Sequence, residues 1–150
     1  MKTTLPSERA AIVGAIDPDA NAAATYTTGW ISMADFGALM AIVMAGALGA
    51  SATLDAKFEQ ASDSSGTGAK DVAGAAITQM TQAGGDSDKQ AVIQCFSEDL
   101  DIANNFTHVR LSVTVAVATS DCGAVVLGLD ARYGPASDND AASVAEIVTA

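Results

Sequence analysis

His108 is the only histidine in the chain, so a Ser–His–acid triad or a Cys–His pair has to be built on it, with Cys95, Cys122 or a serine alongside. It sits in Phe-Thr-His-Val-Arg at the start of a strand-like run, and no nucleophile elbow accompanies it. It reads as a structural or surface strand residue. Cys95 and Cys122 allow one bridge, which would contribute roughly 3 kcal/mol by closing its loop. The other reading is two small buried thiols, and it is preferred because small disulfide-stapled secreted domains carry more cysteine. Zinc needs clustered Cys and His at short spacing, which is absent here. The loop Asp63-Ser-Ser-Gly-Thr-Gly and the acidic residues Asp86, Asp88, Glu98, Asp99 and Asp101 supply oxygen atoms but not the EF-hand spacing, so they read as solvated turns. The stretch Gly66-Thr-Gly-Ala-Lys-Asp has the wrong spacing for a phosphate loop. The expectation is a protein with no catalytic, cofactor-binding or metal-binding residue.

The segments that would position any site are mostly strands. Ala52 to Phe58 alternates without exception, with Ala52, Leu54, Ala56 and Phe58 on one face and Thr53, Asp55 and Lys57 on the other. Phe106 to Ala118 places Leu111, Val113, Val115 and Val117 on one side, and its β-branched content supports a strand. A turn signal at Ser120, Asp121 and Gly123 precedes a further alternating run from Ala124 to Tyr133, so the two runs read as a hairpin. Trp30 to Met33, Ile77 to Met80 and Ala91 to Phe96 are short strand candidates. Phe36 to Leu48 favours a helix by propensity, but it lacks a polar face and its neighbours alternate. It is expected to be a strand buried on both faces, with Gly37, Leu39, Ala41, Val43 and Ala45 packing against another sheet or subunit.

Composition narrows the partners. The 150 residues carry 18 Asp and Glu against 7 Lys and Arg, a net charge of −11, which repels nucleic acid. An apolar fraction of 49% excludes intrinsic disorder, and with 5% aromatics the core must be built from aliphatic residues. The longest apolar run, Phe36 to Ala50, is shorter than the roughly 20 residues of a membrane-spanning helix. No signal peptide is read at the start of the chain. Residues 1–28 lack a sustained period and read as an N-terminal arm, 29–133 as the β domain and 134–150 as a C-terminal tail, either a short helix or a docking arm.

Gly29-Trp-Ile-Ser, the apolar strand from Phe36, the stretch from Ala52 through Asp63-Ser-Ser-Gly to Val72, and Phe106-Thr-His-Val-Arg-Leu-Ser-Val-Thr-Val together resemble small head-associated proteins of tailed bacteriophages. The resemblance covers residues 29–133 and rests on order and spacing. It departs from the family pattern at His108, where an aromatic residue is usual. It implies an all-β, jelly-roll-like sandwich with extended N- and C-terminal arms, in a virion protein made in the host cytoplasm. Such a protein decorates or cements the outer surface of the capsid, bridging the major capsid protein and copies of itself, often as trimers, and no catalytic residue carries over. The apolar residues expected at capsid or inter-subunit contacts are Ile12, Val13 and Ile16 in the first arm, Val43 in the apolar strand, and Val144, Ile147 and Val148 in the tail. Arg110 and Arg132 are expected to pair with carboxylates. Two other readings are a head–tail joining or tail protein, and a carbohydrate-binding module using Trp30, Tyr26 or Tyr133.

Overall fold

A computed structural model describes residues 4–150. After a single helical turn, α1 (Pro6–Arg9), the chain forms β1 (Ala10–Asn21), β2 (Ala24–Thr27), β3 (Ile31–Ser32), β4 (Phe36–Ala45), β5 (Thr53–Ala61), β6 (Lys70–Ala76), β7 (Met80–Thr81), β8 (Gln90–Phe96), β9 (His108–Ala116) and β10 (Ser120–Ala131). One sheet, here sheet A, has the order β1-β10-β4-β8. Sheet B has the order β2-β9-β5-β6, with β3 also on β9 and β7 also on β5. Each pairing is antiparallel. If β2 with β3, and β6 with β7, each count as one interrupted strand, eight strands form two four-stranded sheets, and successive strands change sheet at every step but one, from β5 to β6 within sheet B. That connectivity is a jelly roll.

The core lies between the sheets. Leu54, Phe58, Val109, Leu111, Val113 and Val115 reach in from sheet B, and Ala11, Ala41, Val43, Ala45, Ala124 and Val126 meet them from sheet A. The alternation expected at 52–58 is therefore realised, with each of its apolar positions buried. Gln60, the polar intruder in this layer, is satisfied: its amide donates to the Asp71 carbonyl and its oxygen accepts from Asp101 N–H.

Three expectations are corrected. In place of an N-terminal arm, residues 10–27 form β1 and β2, one in each sheet, and β1 runs along β10. Its alternation is hidden because the register shifts twice, between Ile12 and Gly14 and between Ile16 and Asp19, and each bulge reverses the faces. The jelly roll accordingly begins at Ala10 and not at Gly29. Second, β9 and β10 do not form a hairpin. They belong to different sheets, and the chain crosses between them at residues 117–119. Third, of the two readings of the tail the short helix is not formed: residues 136–139 make a 3-10 turn and the chain then runs without regular structure.

Val117 explains the second correction. Expected beside Val115 in the core, it has φ of +74° and is 70% exposed. The Ala118 N–H donates to the Ala116 carbonyl at 3.0 Å across it, so Val117 is the centre of a γ-turn of the strained, positive-φ kind. A β-branched residue is poorly suited to this region of φ/ψ space, and glycine carries no such penalty. Val117→Gly is expected to raise the unfolding free energy by about 1 kcal/mol, the strain relieved exceeding the extra chain entropy of glycine. Urea unfolding monitored by circular dichroism measures this, and a loss of stability would show that the turn is not strained.

Candidate functional site

The side chains with catalytic potential are dispersed and occupied. His108 starts β9, registered with Ala61 and Ser32, and its Nδ1 lies 2.9 Å from Thr107 Oγ1. Both cysteines are free and buried. Cys95 pairs with Leu39 and Cys122 with Ala45, on opposite flanks of β4. Six residues of strand between those positions put the two sulfurs about 20 Å apart, far beyond the reach of a disulfide. Burial, helped by the nearby Asp99 carboxylate, pushes the Cys95 thiol up to about 11. Burial also raises Cys122, against a hydrogen bond from Asn21 that favours its thiolate.

The acidic residues are engaged in turns. Asp63 accepts from the Ser65 and Thr67 amides, Asp86 from Thr81 N–H and Lys89, and Asp101 from Lys70 and Asn104. These bonds hold the three carboxyls below their ordinary range, led by Thr67, the Thr81 amide and Lys70 respectively. Among the described residues, no three His, Cys, Asp or Glu side chains come together as a metal site.

What the fold does assemble is a surface. On the outside of sheet A the register stacks side chains in rows across four strands: Ala10, Leu129, Ala38 and Phe96; then Ile12, Leu127, Met40 and Gln94; then Ala15, Val125, Ile42 and Val92. Gly123, Met44 and Gln90 extend the face on three strands. No position in these rows is charged, in a chain with 17% charged residues. Met44 and Val92 are 52% exposed and Phe96 is 50% exposed. Ten residues of β4 at about 3.4 Å each, across four strands about 4.8 Å apart, give this face an area on the order of 600 Å². That is the upper end for an apolar patch on a monomer. Two hollows open at its margins, one of about 490 Å³ bordered by Pro18, Met44, Gly123, Asp19 and Asp121, and one of about 160 Å³ bordered by Met40, Phe96, Leu129 and Asp130. Gly123 makes the first possible, because a Cβ there would stand 2.8 Å from the Pro18 backbone where β1 bulges across it.

The outside of sheet B is the opposite. Asp55, Lys57 and Glu59 of β5 lie beside Thr114, Ser112 and Arg110 of β9. Arg110 Nε donates to Glu59 at 2.8 Å and packs its guanidinium 4.5 Å over the Trp30 ring. Lys57 reaches Asp71 at 2.6 Å, and that hydrogen bond holds its ammonium above the usual lysine range. Arg110 thus pairs as expected, whereas Arg132 bonds the Ser97 hydroxyl and not a carboxylate.

The residues expected at contacts divide. Val43 is fully buried and Ile16 is 6% exposed, both facing the interior, so neither is available to a partner. The inner side of β4 carries Leu39, Ala41, Val43 and Ala45, and the side open to solvent is the Met40, Ile42 and Met44 side. Val13 is half-buried against the core, while Ile12 lies in the outer apolar rows. Ile12 also meets the tail: its N–H donates to Asp140 Oδ1 and its carbonyl accepts from Ala141 N–H, both at 2.7 Å. Val144 is half-buried, and Ile147 and Val148 are exposed. Leu127, Leu129 and Val125 were legible as one alternating face in the sequence, but nothing there marked it as the outer one.

No protein-family model and no curated protein sequence matches the chain. Among solved structures, a chain of the cryo-EM structure of broad bean stain virus matches with a TM-score of 0.48 at 11% identity, covering 89% of this chain and 94% of that one. A chain of infectious bursal disease virus, Gt strain, matches at 0.44 and 12% identity, over 87% of this chain and 34% of that one. A chain of the empty virus-like particle of cowpea mosaic virus matches at 0.39 and 12% identity, over 89% and 88%.

The thiol geometry carries an expectation. At pH 8 a thiol held near 11 is about 0.1% thiolate, so alkylation of the native protein should be at least two orders of magnitude slower than in denaturant and should quicken as pH rises. Two thiols per chain should titrate after unfolding. Rapid labelling of either cysteine in the native state would place it at the surface.

Proposed function

We propose that this chain is a structural protein of a virion, one that decorates or cements the outside of a tailed-phage capsid by bridging neighbouring capsid subunits. The observation that carries this reading is the uncharged apolar outer face of sheet A. The inside of the sandwich is filled by Leu54, Phe58, Leu111 and their neighbours, so recognition belongs to the surface. A face of this size approaches the roughly 800 Å² per partner of a specific protein interface, and it is flat and rigid because four hydrogen-bonded strands form it. The tail supports the same reading, since it is tied to β1 at Asp140 and Ala141 and carries exposed Ile147 and Val148 beyond that point. The charge of −11 disfavours a position against packaged DNA and suits the outer side of the shell.

Ile42 lies at the centre of the face, between Val125 and Val92. Ile42→Asp should leave the circular dichroism spectrum intact while weakening binding to capsids that lack the protein by at least about a hundredfold, because an unpaired carboxylate would be buried at the contact. Val43→Asp, one residue along and fully buried, should instead unfold the protein. Light scattering of such capsids mixed with the wild-type chain should show saturable binding at hundreds of copies. Undiminished binding by Ile42→Asp would remove the face from the contact, and a dozen copies or fewer would favour a joining protein.

A further inference from the structure

We propose that two copies of this chain join edge to edge through β8, antiparallel across a two-fold axis, so that their A sheets become one eight-stranded sheet. This contact is separate from the face described above and stands whether or not the capsid reading does.

A sheet edge presents unpaired N–H and C=O groups, and proteins that stay monomeric blunt their edges with bulges, charge, proline or shortness. Three of the four edges here are blunted. β1 carries two bulges, Pro18 and two aspartates, and the tail takes both backbone groups of Ile12. β2 is only four residues long. β6 begins with Lys70 and Asp71, contains Gly74 at φ +77°, and shifts register against β5. β8 has none of these devices. Gln90-Ala-Val-Ile-Gln-Cys-Phe is uncharged, free of proline and glycine, and pairs with β4 without interruption from Phe96↔Ala38 to Gln90↔Met44.

The phase of its hydrogen bonds fits a second copy. Ala45 N–H donates to the Lys89 carbonyl, so the odd-numbered residues of β8 exchange bonds with β4 and the even-numbered ones turn theirs outward. Phe96 N–H is taken by Asp99, which leaves Gln90, Val92 and Gln94 with outward-facing donors and acceptors. The same even residues carry the outer-face side chains. An antiparallel copy therefore bonds even to even, and both apolar faces stay on one side of the joined sheet. With Val92 opposite Gln94 and Gln90 opposite Phe96, the paired residues of the seam are all uncharged, and Lys89 at its end stays bonded to Asp86 of its own chain.

Sedimentation equilibrium of the full chain at high micromolar concentration should give twice the 15.0 kDa of one chain. Hydrogen exchange should show the Gln90, Val92 and Gln94 amides slowed at least about a hundredfold relative to dilute protein. Val92→Pro removes an outward N–H that no bond to β4 uses, and should give a folded single chain without that protection. A single-chain mass at every concentration would overturn the proposal. So would a dimer or trimer whose three amides exchange freely, a result that leaves the face and its capsid role standing.

Discussion

The two sheets of a sandwich stand about 10 Å apart, and the side chains that fill the gap must come from both without colliding. In this protein the division is unequal. Sheet B contributes Phe58, Leu54, Leu111 and three valines, and sheet A answers with Leu39, Val43, Ile93 and Val126 spaced by small residues, at Ala11, Gly14, Ala41, Ala45, Ala124 and Gly128. The fit is tight at Gly128, where a Cβ would stand 2.6 Å from the Phe36 ring. A one-residue slip of β4 would exchange Ala41 and Val43 for Met40 and Ile42, and overpacking of that order costs about 1–3 kcal/mol per site. Register and strand order thus follow from how volume is shared between the layers.

The exposed surface follows from the same division. A strand has two faces, and with Ala41, Ala45, Ala124 and Gly128 on the inner one of sheet A beside Leu39, Val43 and Val126, the other large apolar residues of β4 and β10 stand outside. Met40, Ile42, Leu127 and Leu129 are there while the charged residues gather on sheet B, bound into the Arg110, Glu59, Lys57 and Asp71 network. The separation matters for assembly. A charge buried at a contact loses its hydration, and the loss frequently exceeds what its partner returns. A face with no charge has no such loss to offset.

This layering also explains how far the sequence could be read. β5 and β9 were legible because their alternation is apolar against polar, and β4 was legible as a strand because it lacks the polar stripe of a surface helix. Period two tells which residues share a face and not which face turns inward. With both faces of β4 apolar, Val43 looked as suited to a partner as Ile42, and only the bulk arriving from sheet B decides between them. β1 was obscured by its bulges, each of which breaks the alternation that would have announced it. The strands on either side of Val117 were found, but a hairpin and a crossing between sheets have the same local signature, and the γ-turn that turns the chain out of sheet B has a valine where glycine would have signalled it.

Charge and apolar surface act on association over different distances. At physiological ionic strength the repulsion between two chains of −11 is screened beyond about 8 Å, whereas strand pairing and apolar burial act only at contact. Repulsion then sets the rate of encounter and the barrier to approach, and the acidic turns that flank β8, with Asp86 and Asp88 before it and Glu98 and Asp99 after it, are what strand pairing must overcome at the seam. The outer face of sheet A and the β8 edge adjoin each other through Val92 and Phe96, which belong to both. A second chain joined at the edge would extend the apolar face, its even-numbered β8 residues continuing the uncharged rows, so the two surfaces can be occupied together and each enlarges what the other offers.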